Sequence, residues 1–240
     1  MSSFHIYGHR GSSGTHPENT LISFQAAHKA GAQGIELDVQ LTKDLVPVVI
    51  HDERLERTTN GIGFVKDFLY EDLARLDAGH SFSSCFQGNS IPSLKNVLEW
   101  ITSTSLMLNI ELKNGRFPYD HLETKVLELL THYQLYDRTI ISSFNHYSIQ
   151  HLAQVGCKVE TAILLMEKLV EPWDYLQRVG ANSIHIECSA IDEYFITNTQ
   201  KRAIPVRAFT VNDPHQIAAL KKAGCSAIFT DFPAVAMRSI

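Results

Sequence analysis

Apolar runs of four to seven residues alternate along most of the chain with segments whose apolar positions recur at helical spacing. The helical segments end alike. "KAGAQGIELDV", "QVGCKVETAILL", "RVGANSIHIE" and "KAGCSAIFTD" each give a last helical turn, a Gly stop, a short link and a β-branched run. Gly just past a helix supplies a left-handed residue there, and links of two to six residues are usual in α/β units. The pattern predicts strands at 4–8, 34–40, 46–50, 106–112, 139–143, 159–165, 183–187, 205–211 and 227–230. It predicts helices over 17–30, 92–103, 119–134, 146–155, 171–179, 192–201 and 213–223. Pro92, Pro172 and Pro214 fall in first turns, and Asp213 can cap the helix that follows it.

Near-continuous apolar strands such as "LMLNIEL" and "TAILL" suit a parallel sheet covered by helices. About eight strands alternating with helices across 240 residues predict an α/β fold, a (β/α)8 TIM barrel in one domain. The rival is an open doubly wound sheet, which more often carries a glycine-rich phosphate loop after its first strand. "GHRGSSG" does not read G-x-G-x-x-G.

One stretch, at about 52–91, breaks the cadence after the second barrel strand. It holds Thr58-Thr59-Asn60-Gly61 together with Phe64, Phe68, Tyr70, Phe82 and Phe86. A structureless loop of that length does not suit a compact domain. The segment is therefore expected to pack as a small insertion over the C-terminal mouth, its aromatics forming a core of their own.

Composition narrows the partners. A hydrophobic fraction of 44% and a charged fraction of 20% are those of a soluble globular protein. The net charge of −5, without a basic cluster, points away from nucleic acid and anionic membranes. "MSSFHIYGHR" lacks an apolar leader core, and no run reaches about 18 apolar residues. The expectation is a cytoplasmic chain with no stable membrane anchor. Cys85, Cys157, Cys188 and Cys225 are scattered and read as free thiols.

The strand ends carry the candidate chemistry. Side chains two apart on a strand share a face, so Glu36 and Asp38 in "GIELDVQ" point one way and Ile35, Leu37 and Val39 the other. "NIELKNG" sets Glu111 and Lys113 at the same spacing, "VVIHDE" ends at His51, and "YGHRG" ends at His9 and Arg10. Each alone suits a solvated carboxylate pair, a surface ion pair or a structural histidine. In a barrel, however, the C-terminal strand ends meet at one mouth. Three carboxylates there, Glu36, Asp38 and Glu111, make an all-oxygen site for one divalent cation, Mg²⁺ or Ca²⁺ with Mn²⁺ also suited. His9 and His51 suit an acid/base pair, and Arg10 and Lys113 suit a phosphate. This set describes cleavage of a phosphate ester, and two proton-transfer groups fit a diester best.

"HRG" at 9–11, "PENT" at 17–20, "E-x-D" at 36–38, "HD" at 51–52, "TTNG" at 58–61, "LDAG" at 76–79, "IPSL" at 91–94 and "IELK" at 110–113 occur together here. With "TVND" at 210–213 and "TDFP" at 230–233, the chain resembles the glycerophosphodiester phosphodiesterases over nearly its whole length. The resemblance implies a TIM barrel with a small insertion. It also implies hydrolysis of a small-molecule glycerophosphodiester, such as glycerophosphocholine or glycerophosphoethanolamine, to glycerol 3-phosphate and an alcohol. By motif position, Glu36, Asp38 and Glu111 are the implied metal ligands, His9 and His51 the acid–base pair, and Arg10 and Lys113 the phosphate holders. It further suggests attack on phosphorus by the substrate's own glycerol hydroxyl. An alternative within enzymes is a phospholipase-D-like or lysophospholipid-cleaving barrel acting on acylated substrates.

Where the family often has Trp, this chain has Phe209, which keeps apolar contact for the glycerol carbons without the indole donor. Pro17 is expected as a first-turn proline, with Glu18 at the positive end of the first helix. His16 is expected as an exposed loop residue, and Asp231 and Pro233 are expected to close the barrel beside the site.

Overall fold

A computed structural model describes residues 4–240. The chain runs β1 (His5–Gly8), α1 (Leu21–Lys29), β2 (Gly34–Leu41), β3 (Pro47–Val49), a short α2 (Tyr70–Leu73), α3 (Leu94–Ile101) and β4 (Met107–Leu112). It continues through α4 (Leu122–Tyr133), β5 (Thr139–Ser143), α5 (His146–Gln154), β6 (Glu160–Leu165), α6 (Pro172–Val179) and β7 (Ser183–Glu187). The last elements are α7 (Glu193–Lys201), β8 (Val206–Phe209), α8 (Pro214–Ala223), β9 (Ala227–Thr230) and α9 (Pro233–Met237).

Parallel pairing runs β1-β2-β4-β5-β6-β7-β8-β9 and returns from β9 to β1. Eight strands therefore close on themselves with helices between them, the TIM barrel that the sequence predicts. Two of the predicted helix-end glycines, Gly180 and Gly224, take φ of 80° and 95° and receive the chain as it leaves α6 and α8. Asp213 caps α8 by accepting from the His215 and Gln216 amides.

Ile35, Leu37 and Val39 of β2 join Ile110, Leu112 and helix residues such as Phe24, Leu98 and Ile149 in the main core, between strands and helices. Inside the barrel a second, smaller apolar cluster gathers Tyr7, Ile140, Ala162, Ala227 and Phe229. Level with it, the Arg207 guanidinium donates to Glu160 at 2.7 Å and meets Ser183 and His185. Together these residues fill the lumen and leave its C-terminal end to the residues at the strand ends.

Several expectations are corrected. The 46–50 segment is not a barrel strand: β3 runs antiparallel to β2, with Val39 opposite Val49 and Leu41 opposite Pro47. The turn at 42–46 sends the chain back toward the barrel, and the Ile50 amide donates to the Asp38 carbonyl at 3.0 Å. Pro17 and Pro92 lie outside their helices. Thr20 and Ser93 are the caps, and Asn19, at φ 57°, cannot belong to a right-handed helix.

Residues 50–93 pack around an aliphatic cluster of Val48, Ile50, Leu55, Val65, Leu73, Ala78 and Ile91, with Phe68 and Tyr70 against it. Phe64, Phe82 and Phe86 stand outside that cluster. Phe64 meets Phe117 edge-on, Phe82 meets Phe86, and Phe86 packs against His16, which is half-buried rather than exposed. No helix among the described residues is long and apolar enough to cross a membrane.

Candidate active site

The pleat of β2 turns Glu36 and Asp38 inward, and β4 brings Glu111 beside them, Asp38 being opposite Glu111 in register. One oxygen from each of the three carboxylates lies within 4.8 Å of the others. Glu36 and Asp38 are buried, 4% and 1% exposed, which makes their mutual repulsion expensive. Burial, then the charges of Asp38 and Glu111, push the Glu36 carboxyl up to about 8. Burial and the Asp38 charge also raise Glu111. Asp38 goes the other way: burial works against its ionisation, but the charges of Arg10, His51 and Lys113 outweigh it.

Two cations neutralise this set in part. The Arg10 amide donates to Glu36 Oε2 at 2.7 Å, and Arg10 Nε lies 3.4 Å from Asp38 Oδ2. Arg10 adopts φ 52°, a strained conformation for a side chain of its size, at the point where β1 ends. Gly11 follows at φ +87°, where a Cβ atom would strike Ser23. Lys113 Nζ donates to Glu111 Oε1 at 2.9 Å and lies 3.9 Å from Asp38 Oδ1. Asp38 Oδ1 is nevertheless buried without a hydrogen-bond partner. An orphaned carboxylate oxygen among three convergent carboxylates fits a hard divalent cation.

A histidine stands on each side. His9 Nδ1 lies 2.7 Å from Asp231 Oδ1, and the His9 amide donates to the Thr230 carbonyl at 2.8 Å. His51 Nδ1 lies 2.6 Å from Asp52 Oδ1, while its Nε2 is 3.1 Å from Lys113 Nζ. Lysine can only donate, so this pairing puts the His51 proton on Nδ1, facing Asp52. Burial works against protonation of His9, but the Asp231 hydrogen bond and the Glu36 charge outweigh it and raise its pKa. Asp52 is held down to about 2: burial opposes its ionisation, and hydrogen bonds from Arg57 and His51 overcome that.

A family model described as the glycerophosphoryl diester phosphodiesterase family matches residues 9–235. The chain belongs to that family. It is 44% identical over 231 residues to a glycerophosphodiester phosphodiesterase of Bacillus altitudinis, covering 95% of this chain and 94% of that one. It is 41% identical to one from Caldanaerobacter subterraneus subsp. tengcongensis, covering 95% and 94%. Among solved structures it is similar to an Oleispira antarctica phosphodiesterase in complex with the product sn-glycerol-3-phosphate. The TM-score there is 0.90 at 30% identity, over 98% of this chain and 96% of that one.

In this phosphodiesterase the seven residues His9, Arg10, Glu36, Asp38, His51, Glu111 and Lys113 are thus gathered at one end of the barrel. Phe209 closes β8 elsewhere on the rim, where it meets Phe144 edge-on at 6.0 Å and leans on the inner apolar cluster. Four further residues escape a reading by strand ends. Asn19 donates to Asp38 Oδ2 at 2.8 Å, so the left-handed turn in "PENT" serves to aim an amide at that carboxylate. Glu18 is not at a helix start; it accepts from Arg10 at 2.8 Å and from Arg57. Asp52 directly follows His51 in "HD", as Glu18 and Asn19 lie within "PENT", whereas Arg57 carries no local signal. "TTNG" and "LDAG" stitch the insertion: Thr59 Oγ1 donates to the Leu55 carbonyl, and Asn60 Oδ1 accepts from the Asp77 amide.

Proposed function

We propose that the enzyme hydrolyses glycerophosphodiesters such as glycerophosphocholine or glycerophosphoethanolamine to sn-glycerol 3-phosphate and an alcohol. In this reading Glu36, Asp38 and Glu111 hold one divalent cation, Mg²⁺ or Ca²⁺, with Mn²⁺ also suited. The observation that carries it is the convergence of three carboxylates around the unpartnered Asp38 Oδ1. When bound, the cation supplies positive charge that draws electron density from the phosphoryl oxygens. The product bound by the Oleispira relative supports the glycerol phosphate half of the substrate, and the named relatives favour this reading over acylated substrates.

Arg10 and Lys113 hold the phosphate oxygens. Both histidines are tied through Nδ1 to a carboxylate, which turns each Nε2 to proton transfer, that of His51 once Lys113, 3.1 Å away, turns to the phosphate. One takes the proton from the attacking oxygen and the other gives a proton to the departing alkoxide; where the attacker is the glycerol hydroxyl, water then adds to the cyclic phosphate and opens it to glycerol 3-phosphate. Phe209, with Phe144, offers apolar contact to the glycerol carbons. The four cysteines are unpaired, a state that suits a reducing, cytoplasmic setting.

The test is product analysis on glycerophosphocholine, with His9→Ala and His51→Ala beside the parent. The reading predicts sn-glycerol 3-phosphate and choline, and a loss of roughly 10²- to 10⁴-fold in kcat for either variant. Glycerol and phosphocholine as products would contradict it, because the wrong ester bond would have broken.

A further inference from the structure

The insertion brings one residue to the site that is neither a proposed ligand nor a proposed proton carrier. Arg57 Nε and Nη2 donate to Asp52 Oδ2 and Oδ1 at 2.6 and 3.0 Å. Its Nη1 and Nη2 donate to Glu18 Oε2 and Oε1 at 2.7 and 2.8 Å. One guanidinium thus grips two carboxylates, each with two hydrogen bonds. Each of those carboxylates holds a site residue with an oxygen that Arg57 also touches. Glu18 Oε1 accepts from Arg10 Nη1 at 2.8 Å, and Asp52 Oδ1 faces His51 Nδ1 at 2.6 Å. The result is a continuous chain, Arg10–Glu18–Arg57–Asp52–His51, joining the end of β1 to the end of β3.

We propose that Arg57 is a positioning residue, which fixes the phosphate-holding Arg10 and the proton-carrying His51 relative to one another through Glu18 and Asp52. The proposal rests on the roles given to Arg10 and His51 above. Its logic is geometric. Arg10 and His51 come from segments 41 positions apart, and β3 is held to β2 rather than to β1. The barrel ladder joins β1 to β3 only through β2 and leaves the two side chains unlinked, whereas a planar fork with bidentate partners joins them directly.

The Arg57 side chain is 46% exposed. Ion pairs so open to water add little to stability, so the clamp acts on orientation more than on folding. Its own backbone is fixed from behind, since buried Thr59 bonds to the Leu55 carbonyl and Leu55 lies in the insertion's apolar cluster. The insertion, in this account, is the rigid mount for the clamp.

The experiment measures kcat, KM and melting temperature for the parent, Arg57→Ala and Arg57→Lys on glycerophosphocholine with saturating divalent cation. Free guanidinium or methylammonium is then added at millimolar concentration. The clamp predicts a fall in kcat of roughly 10- to 100-fold in Arg57→Ala, the range seen when a partner that orients a site residue is removed. It predicts a melting shift of no more than about 4 °C. Guanidinium restores activity several-fold and methylammonium does not. Arg57→Lys stays near the alanine level, because an ammonium cannot fork to two carboxylates. Parental kcat in either variant overturns the clamp, and so does a loss that follows unfolding and ignores guanidinium. If the alanine variant does not fold, the lysine variant decides by the same criteria. An inactive parent overturns the underlying reading instead, and the clamp with it.

Discussion

Asp231 Oδ1 lies 2.7 Å from His9 Nδ1, so the residue after the last barrel strand orients the residue after the first. Ser13 and Asn212 donate to the same carboxylate at 2.9 and 2.7 Å, fixing it in turn. Asp231→Asn keeps the shape but offers the histidine a neutral partner. The expected outcome is a fall in kcat of roughly 10- to 100-fold with little change in KM. Steady-state kinetics against His9→Ala as the floor would check it. Unchanged kcat would mean that the barrel closure alone aims the imidazole.

The carboxylate cluster gives the cation-free protein a defined response to pH. The folded-state pKa of Glu36 is raised from 4.5 to about 8 by burial and by Asp38. In that window the native protein keeps a proton that the unfolded chain has lost, so the contribution of Glu36 to stability is full below about 4.5 and declines as pH rises toward 8. Glu111 and His9, both raised, act in the same direction, whereas His185, lowered by burial and by Arg207, opposes them below about 6.5. A bound divalent cation takes the proton's place and flattens the slope. Melting curves from pH 6.5 to 8, above the range in which His185 counts, with and without Mg²⁺ or Ca²⁺, measure this. A cation-free protein that grows more stable across that range would refute the assignment.

Asn19 separates support from ligation. Its amide holds Asp38 Oδ2 at 2.8 Å from a residue at φ 57°. Asn19→Gly tolerates that backbone and removes the two side-chain bonds to Asp38, the one to Oδ2 and the one accepted from its amide at 3.3 Å. Cation affinity should fall about 10- to 100-fold by calorimetry. An affinity equal to the parent's would show that Arg10 and the β2 backbone suffice to hold Asp38.

Phe209 stands half-buried at the rim with Phe144 edge-on to it. If it carries apolar contact to glycerol, Phe209→Ala raises KM by about 10-fold or more while kcat changes little, since a buried aromatic is worth about 1.5–3 kcal/mol. Equal KM values would remove Phe209 from the site.

Much of this arrangement is legible from local pattern. The period of two along β2 and β4 decides which side Glu36, Asp38 and Glu111 face, and the Gly-ended helices decide that those strands run parallel. What escapes is whatever depends on tertiary pairing. "PVVI" has the apolar signature of a barrel strand, and only its short turn at 42–46, which favours a hairpin over a crossover, distinguishes it. Pro17 looks like a helix start because the pattern ignores Asn19, whose left-handed backbone serves Asp38 rather than the helix. The Glu18–Arg57 pair spans 39 positions, a separation at which no periodicity operates. The insertion's aromatics mislead for a related reason: aliphatic side chains fill its interior, and Phe64, Phe82 and Phe86 pack outward.

The central claim is that three buried carboxylates hold a cation on which turnover depends. Its most direct measurement is turnover of glycerophosphocholine by protein stripped with EDTA, before and after Mg²⁺, Ca²⁺ or Mn²⁺ is restored, with metal content assayed in each sample. The account predicts no release of sn-glycerol 3-phosphate from the stripped enzyme, rescue by at least one of these ions, and no rescue of Asp38→Asn. Full turnover by protein shown to be free of metal would contradict it.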